Sequence, residues 1–183
     1  MARIRRIEIS NLRGIKHLAW LPTNGINCLI GPGDSGKSTI LEAIDLCLGA
    51  RRSVTFFDSD FYSLDITTPI VISLILGELD DSVKSIETYG QFLGGFDANT
   101  GLVEDEPGSG FETVVTLTLT VGTDLDPQWT LESARAKAAG ITRNLTWGDR
   151  AKIAPTRIGG GFAEANLAWR RGSVLNRLSD EST

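Results

Sequence analysis

One short segment of this 183-residue sequence combines residue types that bind phosphate. Residues 31–39 read GPGDSGKST and fit the pattern G-x-x-x-x-G-K-[ST] in full. Glycines at these spacings let the backbone fold tightly, so that successive N–H groups point at phosphate oxygens. A helix that begins inside the motif would add the partial positive charge of its N-terminus. The motif therefore predicts a P-loop for a nucleoside triphosphate, with ATP and Mg²⁺ as the expected ligands.

The predicted P-loop gives each of its polar side chains a role. Lys37 is expected to reach the β- and γ-phosphates, Ser38 to supply one ligand of Mg²⁺, and Thr39 to contact the α-phosphate. The alternative is a glycine-rich turn between a strand and a helix, in which the Lys-Ser pair occurs by chance. The predicted nucleotide-binding positions of the loop are Gly31, Gly33, Asp34, Ser35, Gly36, Lys37, Ser38 and Thr39.

Hydrolysis needs an acidic group that holds Mg²⁺ and a residue that positions water, and neither is obvious in this sequence. Glu78 is the local candidate for the acid, because it closely follows the apolar stretch Val71–Leu76. Gly77 and Leu79 interrupt the usual order of a strand followed directly by an acid. The alternative is a strand that runs into an acidic turn. The residues alone leave the catalytic set unassigned.

The elements that must position the loop follow from the spacing of apolar residues. Ala2–Ser10 alternates apolar and charged residues and predicts a half-exposed strand, with a slip in register near Arg5–Arg6. Ile26–Ile30 is continuously apolar, which is typical of a strand covered on both faces. Lys37–Leu48 has apolar residues at helical spacing and is followed by Gly49. Together these segments predict a strand, a P-loop and a helix in the usual order.

The second half of the chain is predicted to be mainly β-structure. Strands are expected at Thr68–Leu76 and Glu112–Val121, with Gln128–Arg135 as a partner strand. Asp80–Phe92 fits a short helix, and the Gly- and acid-rich segment Gly94–Gly110 predicts a long mobile loop. The predicted division is a P-loop core at about 1–65, an antiparallel β accessory region at about 66–158, and a closing helical segment at about 159–183.

Composition limits the kinds of partner. The net charge of −5 argues against tight, autonomous binding of duplex DNA, which needs a basic surface. The longest apolar run, Ile70–Leu76, is far too short to span a bilayer, and no signal peptide is visible. Cys28 and Cys47 lie in apolar runs and are expected to be buried free thiols in a cytoplasmic protein. His17 is the single histidine, so a histidine metal site or triad is not expected.

Several of these segments also carry a resemblance to a known group of proteins. Residues 5–15 (RRIEISNLRGI), the strand Ile26–Ile30, the P-loop and residues 40–44 (ILEAI) resemble the start of ABC-type ATPases of the RecF, SMC and Rad50 group. Residues 57–61 (FDSDF) followed by Pro69–Leu76 resemble the N-terminal ATPase of the OLD (overcoming lysogenization defect) nucleases, which include the nuclease subunit of Gabija defence systems. Residues 146–157 and 167–180 are similar to this branch as well.

The resemblance implies an α/β fold of the P-loop NTPase type, namely part of an ABC-type head. In such a head a mixed sheet cradles the P-loop helix, an antiparallel β subdomain lies beside it, and two heads sandwich ATP. The partners implied are nucleotide, a second copy or second ATPase half, and DNA through the parent assembly. The signature segment and Toprim nuclease domain of the OLD branch have no counterpart in these residues, so we expect the front part of a longer protein rather than a reduced homologue.

The resemblance also adds three candidate site residues. Asn11 and Arg13 match the turn that approaches the nucleotide in this group, although Arg13 fits a solvated turn equally well. Asp60 lies where a residue that contacts Mg²⁺ or water would be expected, and the alternative is an acidic cap or turn residue.

The function implied is an ATP-binding N-terminal ATPase module that gates a DNA-directed nuclease of the OLD type located elsewhere. Two alternatives remain open. One is a nucleotide-sensing dimerisation module with little hydrolysis, and the other is a DNA-repair ATPase of the RecF type.

Overall fold

The computed structural model describes residues 2–49, 53–79, 90–144 and 150, all within the first of two compact units, residues 1–153. The second unit, residues 154–183, lies outside the described residues, and so does the closing helix predicted for Ala163–Leu178. Short 3₁₀ turns at Asp58–Asp60, Tyr62–Leu64 and Gly90–Phe92 accompany the main elements. These are β1 (Arg3–Leu12), β2 (Ile15–Trp20), α1 (Lys37–Leu48), β3 (Ile70–Gly77), β4 (Leu93–Phe96), β5 (Val103–Glu104), β6 (Glu112–Val121), β7 (Pro127–Glu132), α2 (Ala134–Ala138) and β8 (Arg143–Asn144).

The eight strands form one sheet. The order is β2-β1-β3-β6-β4-β5, and β6 also pairs with β7, which in turn pairs with β8. Every pairing among the described strands is antiparallel. The parallel part of the expected mixed sheet is therefore not among the pairings that the described residues make. No helix among these residues is long and apolar enough to cross a membrane.

The centre of the sheet is built from β1, β3 and β6. Ile7 pairs with Leu74, which pairs with Leu117 on its other side, and all three side chains are fully buried. Alternation of apolar and polar residues along these strands keeps the apolar side chains on one covered face. The pairing of β1 with β3 shifts between Ile4 and Arg6, which confirms the slip in register predicted there.

Helix α1 packs its apolar stripe on the covered face of the sheet, and its bounds are those predicted. Ile40 is among its buried residues. At its C-terminal end, the Trp129 indole N–H donates to the Leu46 carbonyl at 3.2 Å. The Arg150 guanidinium lies 3.8 Å from the centre of the Trp129 ring and donates to the Gly49 carbonyl at 3.4 Å. These contacts satisfy carbonyls that a helix end leaves without partners and place a cation at the negative end of the helix dipole.

The segment predicted as a long mobile loop contains two strands instead. β4 and β5 pair as a hairpin, so the prediction for Gly94–Gly110 is wrong over these strands. Gly94 is buried close to the neighbouring strand, where a side chain would meet the Glu104 backbone at 2.9 Å. The turn is held by Asp97, whose carboxylate accepts from the Asn99 N–H at 2.8 Å and the Thr100 hydroxyl at 3.0 Å. The glycines of β4 therefore allow close packing against the neighbouring strand and do not indicate a mobile loop.

The two cysteines have different environments. Cys47 on α1 is fully buried, as predicted, and burial raises the pKa of its thiol to about 12. Cys28 is exposed, so the prediction of burial is wrong for that residue.

This difference predicts that a thiol reagent labels one cysteine quickly in the native protein. At pH 8, Cys28 should react within minutes, while Cys47 should react only when the protein opens, because reaction needs an accessible thiolate. Since the folded-state pKa of Cys47 is raised, its contribution to stability is complete below its ordinary value of 9.0 and is lost as pH rises towards about 12. Mass mapping after a short pulse with a thiol reagent checks this, and equal labelling of both thiols would contradict it.

Candidate nucleotide-binding site

The P-loop lies at the N-terminus of α1, where the sequence predicts it. Gly36 is the N-cap residue and has a left-handed backbone, with φ of 82°. Asp34 is also left-handed, with φ of 57°, a conformation that costs less for Asp than for most other residues. An added Cβ on Gly36 would lie 3.5 Å from the Ile15 side chain, so the loop sits beside the start of β2. This geometry presents the helix N-terminus and an exposed glycine-rich loop to an anion.

Lys37 is folded over the loop. Its ammonium donates to the Gly31 carbonyl at 2.8 Å, the Pro32 carbonyl at 2.5 Å and the Ser35 hydroxyl at 3.0 Å. The charge is therefore held at the mouth of the loop, where phosphate oxygens can replace these acceptors. Ser38 is exposed in the first turn of α1, so its hydroxyl is accessible to a metal ion. The structure thus brings together the predicted phosphate ligands, whose contacts with nucleotide stay predictions.

The segment before the loop differs from its prediction. Ile26–Ile30 is not paired with any described strand, and the side chains of Ile26 and Ile30 are 92% and 93% exposed. The prediction of a strand covered on both faces is therefore wrong for this structure. An apolar segment becomes a buried strand only when neighbouring strands pair with it and helices cover it. The strands of the described sheet do not pair with this segment. The exposure of Cys28 has the same origin.

Arg13 lies between two carboxylates at the end of β1. Its Nη1 and Nη2 atoms donate to the two oxygens of Glu42 on α1, at 2.5 and 3.1 Å, and its Nε donates to Asp60 Oδ1 at 2.9 Å. Hydrogen bonding to Glu42 raises the pKa of Arg13 above its ordinary value; burial opposes this, and Asp60 acts in the same direction as Glu42. Arg13 is therefore near the P-loop helix but paired with protein groups.

Asp60 has the geometry of a cap residue. Its second oxygen, Oδ2, accepts from the Phe57 N–H at 3.0 Å, and its carbonyl accepts from the Arg13 N–H at 2.7 Å. The residue is buried, with 8% of its surface exposed. One carboxylate oxygen thus caps the turn at residues 57–60 and the other binds Arg13, which favours the cap alternative. A role with Mg²⁺ stays a prediction.

The side chain of Asn11 forms hydrogen bonds with the chain segment that precedes β3. Its buried amide donates to the Asp65 carbonyl at 3.3 Å and to the Thr68 carbonyl, and its backbone has φ of 58°. These bonds tie the end of β1 to the segment that leads into β3. The described contacts of Asn11 are structural, and the nucleotide contact expected from the resemblance stays a prediction.

Glu78 lies at the far end of the sheet from the P-loop. It forms ion pairs with Arg3 at 3.3 Å and Arg5 at 3.1 Å, and Arg3 pairs with Gly77 at the start of β1. Ile15, which touches the P-loop, pairs with the other end of β1. Ten residues of strand separate these ends by about 30 Å. Asp60 and Glu78 therefore cannot serve one metal ion, and only Asp60 lies at the P-loop end.

The AAA ATPase domain family matches residues 3–118, which is more than half of the chain and includes β1, the P-loop and most of β6. The chain belongs to the AAA ATPase domain family. This AAA ATPase domain has curated relatives that match it over part of its length. The DNA replication and repair protein RecF of Chlorobium limicola is 40% identical over 58 residues, which is 32% of this chain and 16% of RecF.

A second relative of the domain belongs to the other branch of the resemblance. The OLD nuclease of Thermus scotoductus is 35% identical over 75 residues, which is 39% of this chain and 14% of that nuclease. The domain therefore matches only about a sixth of the length of these relatives. RecF of Pseudoalteromonas atlantica is 43% identical over 51 residues. The chain is therefore similar to RecF proteins and, over a short stretch, to an OLD nuclease, and these likenesses fit both branches.

Solved structures support the fold of the domain. A chain from a study of ATP-driven dimerization and DNA-stimulated activation of SMC ATPases has a TM-score of 0.53 at 14% identity, covering 98% of this chain and 99% of that one. An SmcHead bound to the C-winged helix domain of ScpA has a TM-score of 0.51 at 15% identity, covering 91% of this chain and 47% of the other. The AAA ATPase domain therefore has a partial ABC-ATPase-like fold, as the sequence predicts.

Sequence reasoning missed Glu42 of the domain. It lies on the P-loop helix five residues after Lys37, on the side that faces Arg13. The sequence shows only an acid on a helix, and nothing in the spacing from residue 13 to residue 42 indicates that they meet. A pairing between a strand end and a helix depends on how α1 packs on the sheet, so it appears only in the structure.

Proposed function

We propose that this chain is a Mg²⁺-dependent ATP-binding module of a DNA-directed ATPase. The observation that carries the proposal is the P-loop, whose glycine-rich backbone, helix N-terminus and overhanging Lys37 converge on one exposed site. ATP fits such a site because its β- and γ-phosphates bind backbone N–H groups and a cation together. Membership of the AAA ATPase domain family supports the same reading.

The nucleotide site is proposed to work with a second ATP-binding head and with DNA. One SMC relative in fold comes from work on ATP-driven dimerization and DNA-stimulated activation, and the RecF relatives are replication and repair proteins. The apolar segment Ile26–Ile30 is exposed. This exposure supports our proposal that another part of the ATPase supplies a strand that covers the segment beside the P-loop. Sedimentation with and without ATP tests the pairing of two chains.

Two finer functions have support. The N-terminal ATPase of an OLD-like nuclease is favoured by the match to an OLD nuclease and by the likeness of residues 57–61 to that branch. A RecF-type DNA-repair ATPase is favoured by the matches to RecF proteins, and it is equally supported. We retain the three-part division at about residues 65 and 158 as part of this proposal.

Ser38→Ala is expected to weaken ATP binding mainly when Mg²⁺ is present. The Ser38 hydroxyl is exposed at the helix N-terminus and is proposed as one metal ligand. Losing one oxygen ligand should lower affinity by about tenfold, equivalent to about 1.4 kcal/mol. The measurement is ATP affinity of the wild type and the variant in Mg²⁺ and in EDTA. An equal loss in both buffers would remove Ser38 from the metal site.

The isolated chain is expected to leave plasmid DNA intact. Among the described residues, no three potential metal-binding side chains come together. Glu104 and Asp105 are exposed on the β4–β5 hairpin, at the end of the sheet away from the P-loop. A two-metal site must hold its ions about 4 Å apart, which a pair of solvated side chains does not do. Metal-dependent cleavage lost in a Glu104→Ala, Asp105→Ala variant would place a nuclease within this chain.

A further inference from the structure

The contacts of Arg13 limit what this residue can do for a bound nucleotide. The guanidinium is fixed by the bidentate pair with Glu42 and the single bond to Asp60. Glu42, Asp60 and Arg13 together carry a net charge of −1. A triphosphate that approaches Arg13 in this state meets an excess of negative charge. The negative charges of Glu42 and Asp60 therefore offset most of the attraction between Arg13 and an anion.

The two carboxylates are not equivalent. Asp60 is only 12% exposed at its side chain and is fixed by the Phe57 N–H as well. Glu42 is 32% exposed at its side chain, and Arg13 is its one described partner. An exposed carboxylate is solvated by water when its ion pair breaks, so breaking that pair costs less free energy than breaking a buried one. Glu42 is thus the partner that can be exchanged.

We propose that Glu42 is a positioning residue that competes with the nucleotide phosphates for Arg13. Without nucleotide, Glu42 holds the guanidinium against α1 and keeps it from the loop. When ATP occupies the P-loop, the Arg13 side chain turns towards the loop, and the phosphates replace Glu42 at its two Nη atoms. The contact between Glu42 and Arg13 at the end of β1 is therefore present without nucleotide and broken when nucleotide is bound. This inference rests on the proposed function, because it assumes that the P-loop binds ATP.

The geometry allows this exchange. Glu42 lies five residues beyond Lys37 on α1, which is about 7.5 Å along the helix axis. An arginine side chain spans a similar length, so a rotation of the Arg13 guanidinium carries it towards the first turn of the helix. Arg13 has five N–H donors, of which three are used by Glu42 and Asp60. The remaining two leave it able to contact a phosphate before Glu42 has fully separated.

The test is a double-mutant cycle on nucleotide affinity, measured by calorimetry with ATP and with adenosine. Glu42→Gln removes the competing charge and keeps the shape of the side chain. It is expected to lower the Kd for ATP on the order of tenfold, and to leave adenosine unchanged, because adenosine has no phosphate. In an Arg13→Gln background the gain should vanish. Glu104→Gln is the matched control, because it removes one charge from an exposed glutamate at the other end of the sheet.

Each result of the cycle is decisive. If Glu42→Gln binds ATP no more tightly than the wild type while Lys37→Ala still loses binding, the competition is refuted and the ATP-binding function stands. A gain that persists without Arg13, or that Glu104→Gln reproduces, refutes it as well, since the effect would be one of overall charge. If Lys37→Ala binds normally, both proposals fail. Should Arg13→Gln not fold, Arg13→Lys replaces it, because lysine cannot make the two-point contact and should also diminish the gain.

Discussion

Lys37→Ala is expected to remove at least half of the thermal stabilisation that ATP gives this chain. Lys37 is the single cation of residues 31–39, and its ammonium is held above the loop by the Gly31 and Pro32 carbonyls. Loss of a charge-assisted contact costs about 1.5–3 kcal/mol, and the β- and γ-phosphates would then meet no positive side chain in the loop. Ligand at a hundred times its Kd stabilises a protein by about 2.7 kcal/mol, which gives a clear shift in Tm for the wild type.

The control for this variant is Lys137→Ala. Lys137 is exposed on α2 and carries the same charge away from the P-loop. Its ATP-dependent shift in Tm should equal that of the wild type, while that of Lys37→Ala should be at most half as large. A full-sized shift in Lys37→Ala would show that ATP binds elsewhere or by other groups.

Phosphate release by the purified chain is expected to stay close to that of Lys37→Ala. A P-loop binds the ground state of ATP, whereas acceleration needs contacts that strengthen in the transition state. Such contacts come from a metal-binding acid, a residue that positions water, and often a group donated in trans. The two carboxylate oxygens of Asp60 are engaged by Arg13 and by the Phe57 N–H, and Glu78 is about 30 Å away along β1. Each missing contact removes several kcal/mol of transition-state stabilisation.

Steady-state phosphate assays with and without DNA check the turnover. A rate on the order of 1 s⁻¹, which is ordinary for enzymes, would contradict the account. It would mean that a complete catalytic set lies within these residues. Asp60→Asn and Glu78→Gln would then show which carboxylate takes part, and the position of Asp60 at the P-loop end makes it the first to change.

Features set by local sequence were predictable. The bounds of α1 and β6 agree with those read from apolar spacing, because a helical or alternating pattern repeats over ten or more residues. The slip between Ile4 and Arg6 was also visible, since two adjacent arginines break the alternation. The P-loop was predictable because backbone chemistry, and not a distant partner, determines its glycine spacing.

Features that depend on distant partners were not predictable. Ile26–Ile30 has the composition of a covered strand, but whether a strand is covered depends on neighbours that its own residues do not specify. The hairpin of β4 and β5 could not be predicted from the sequence pattern, because Gly94 lowers the strand propensity of the segment while it permits close packing. The cap bond from Asp60 to Phe57 is local and agrees with the alternative given for this residue, but its bond to Arg13 joins residues 47 positions apart and appears only in the structure.

ATP binding at the P-loop is measured most directly by a calorimetric titration of the purified chain with ATP in the presence of Mg²⁺. We expect one ATP to bind per chain, with the heat of binding lost in Lys37→Ala and preserved in Lys137→Ala. No saturable binding by the wild type, or equal affinity in Lys37→Ala, would contradict the assignment of residues 31–39 as a functional P-loop.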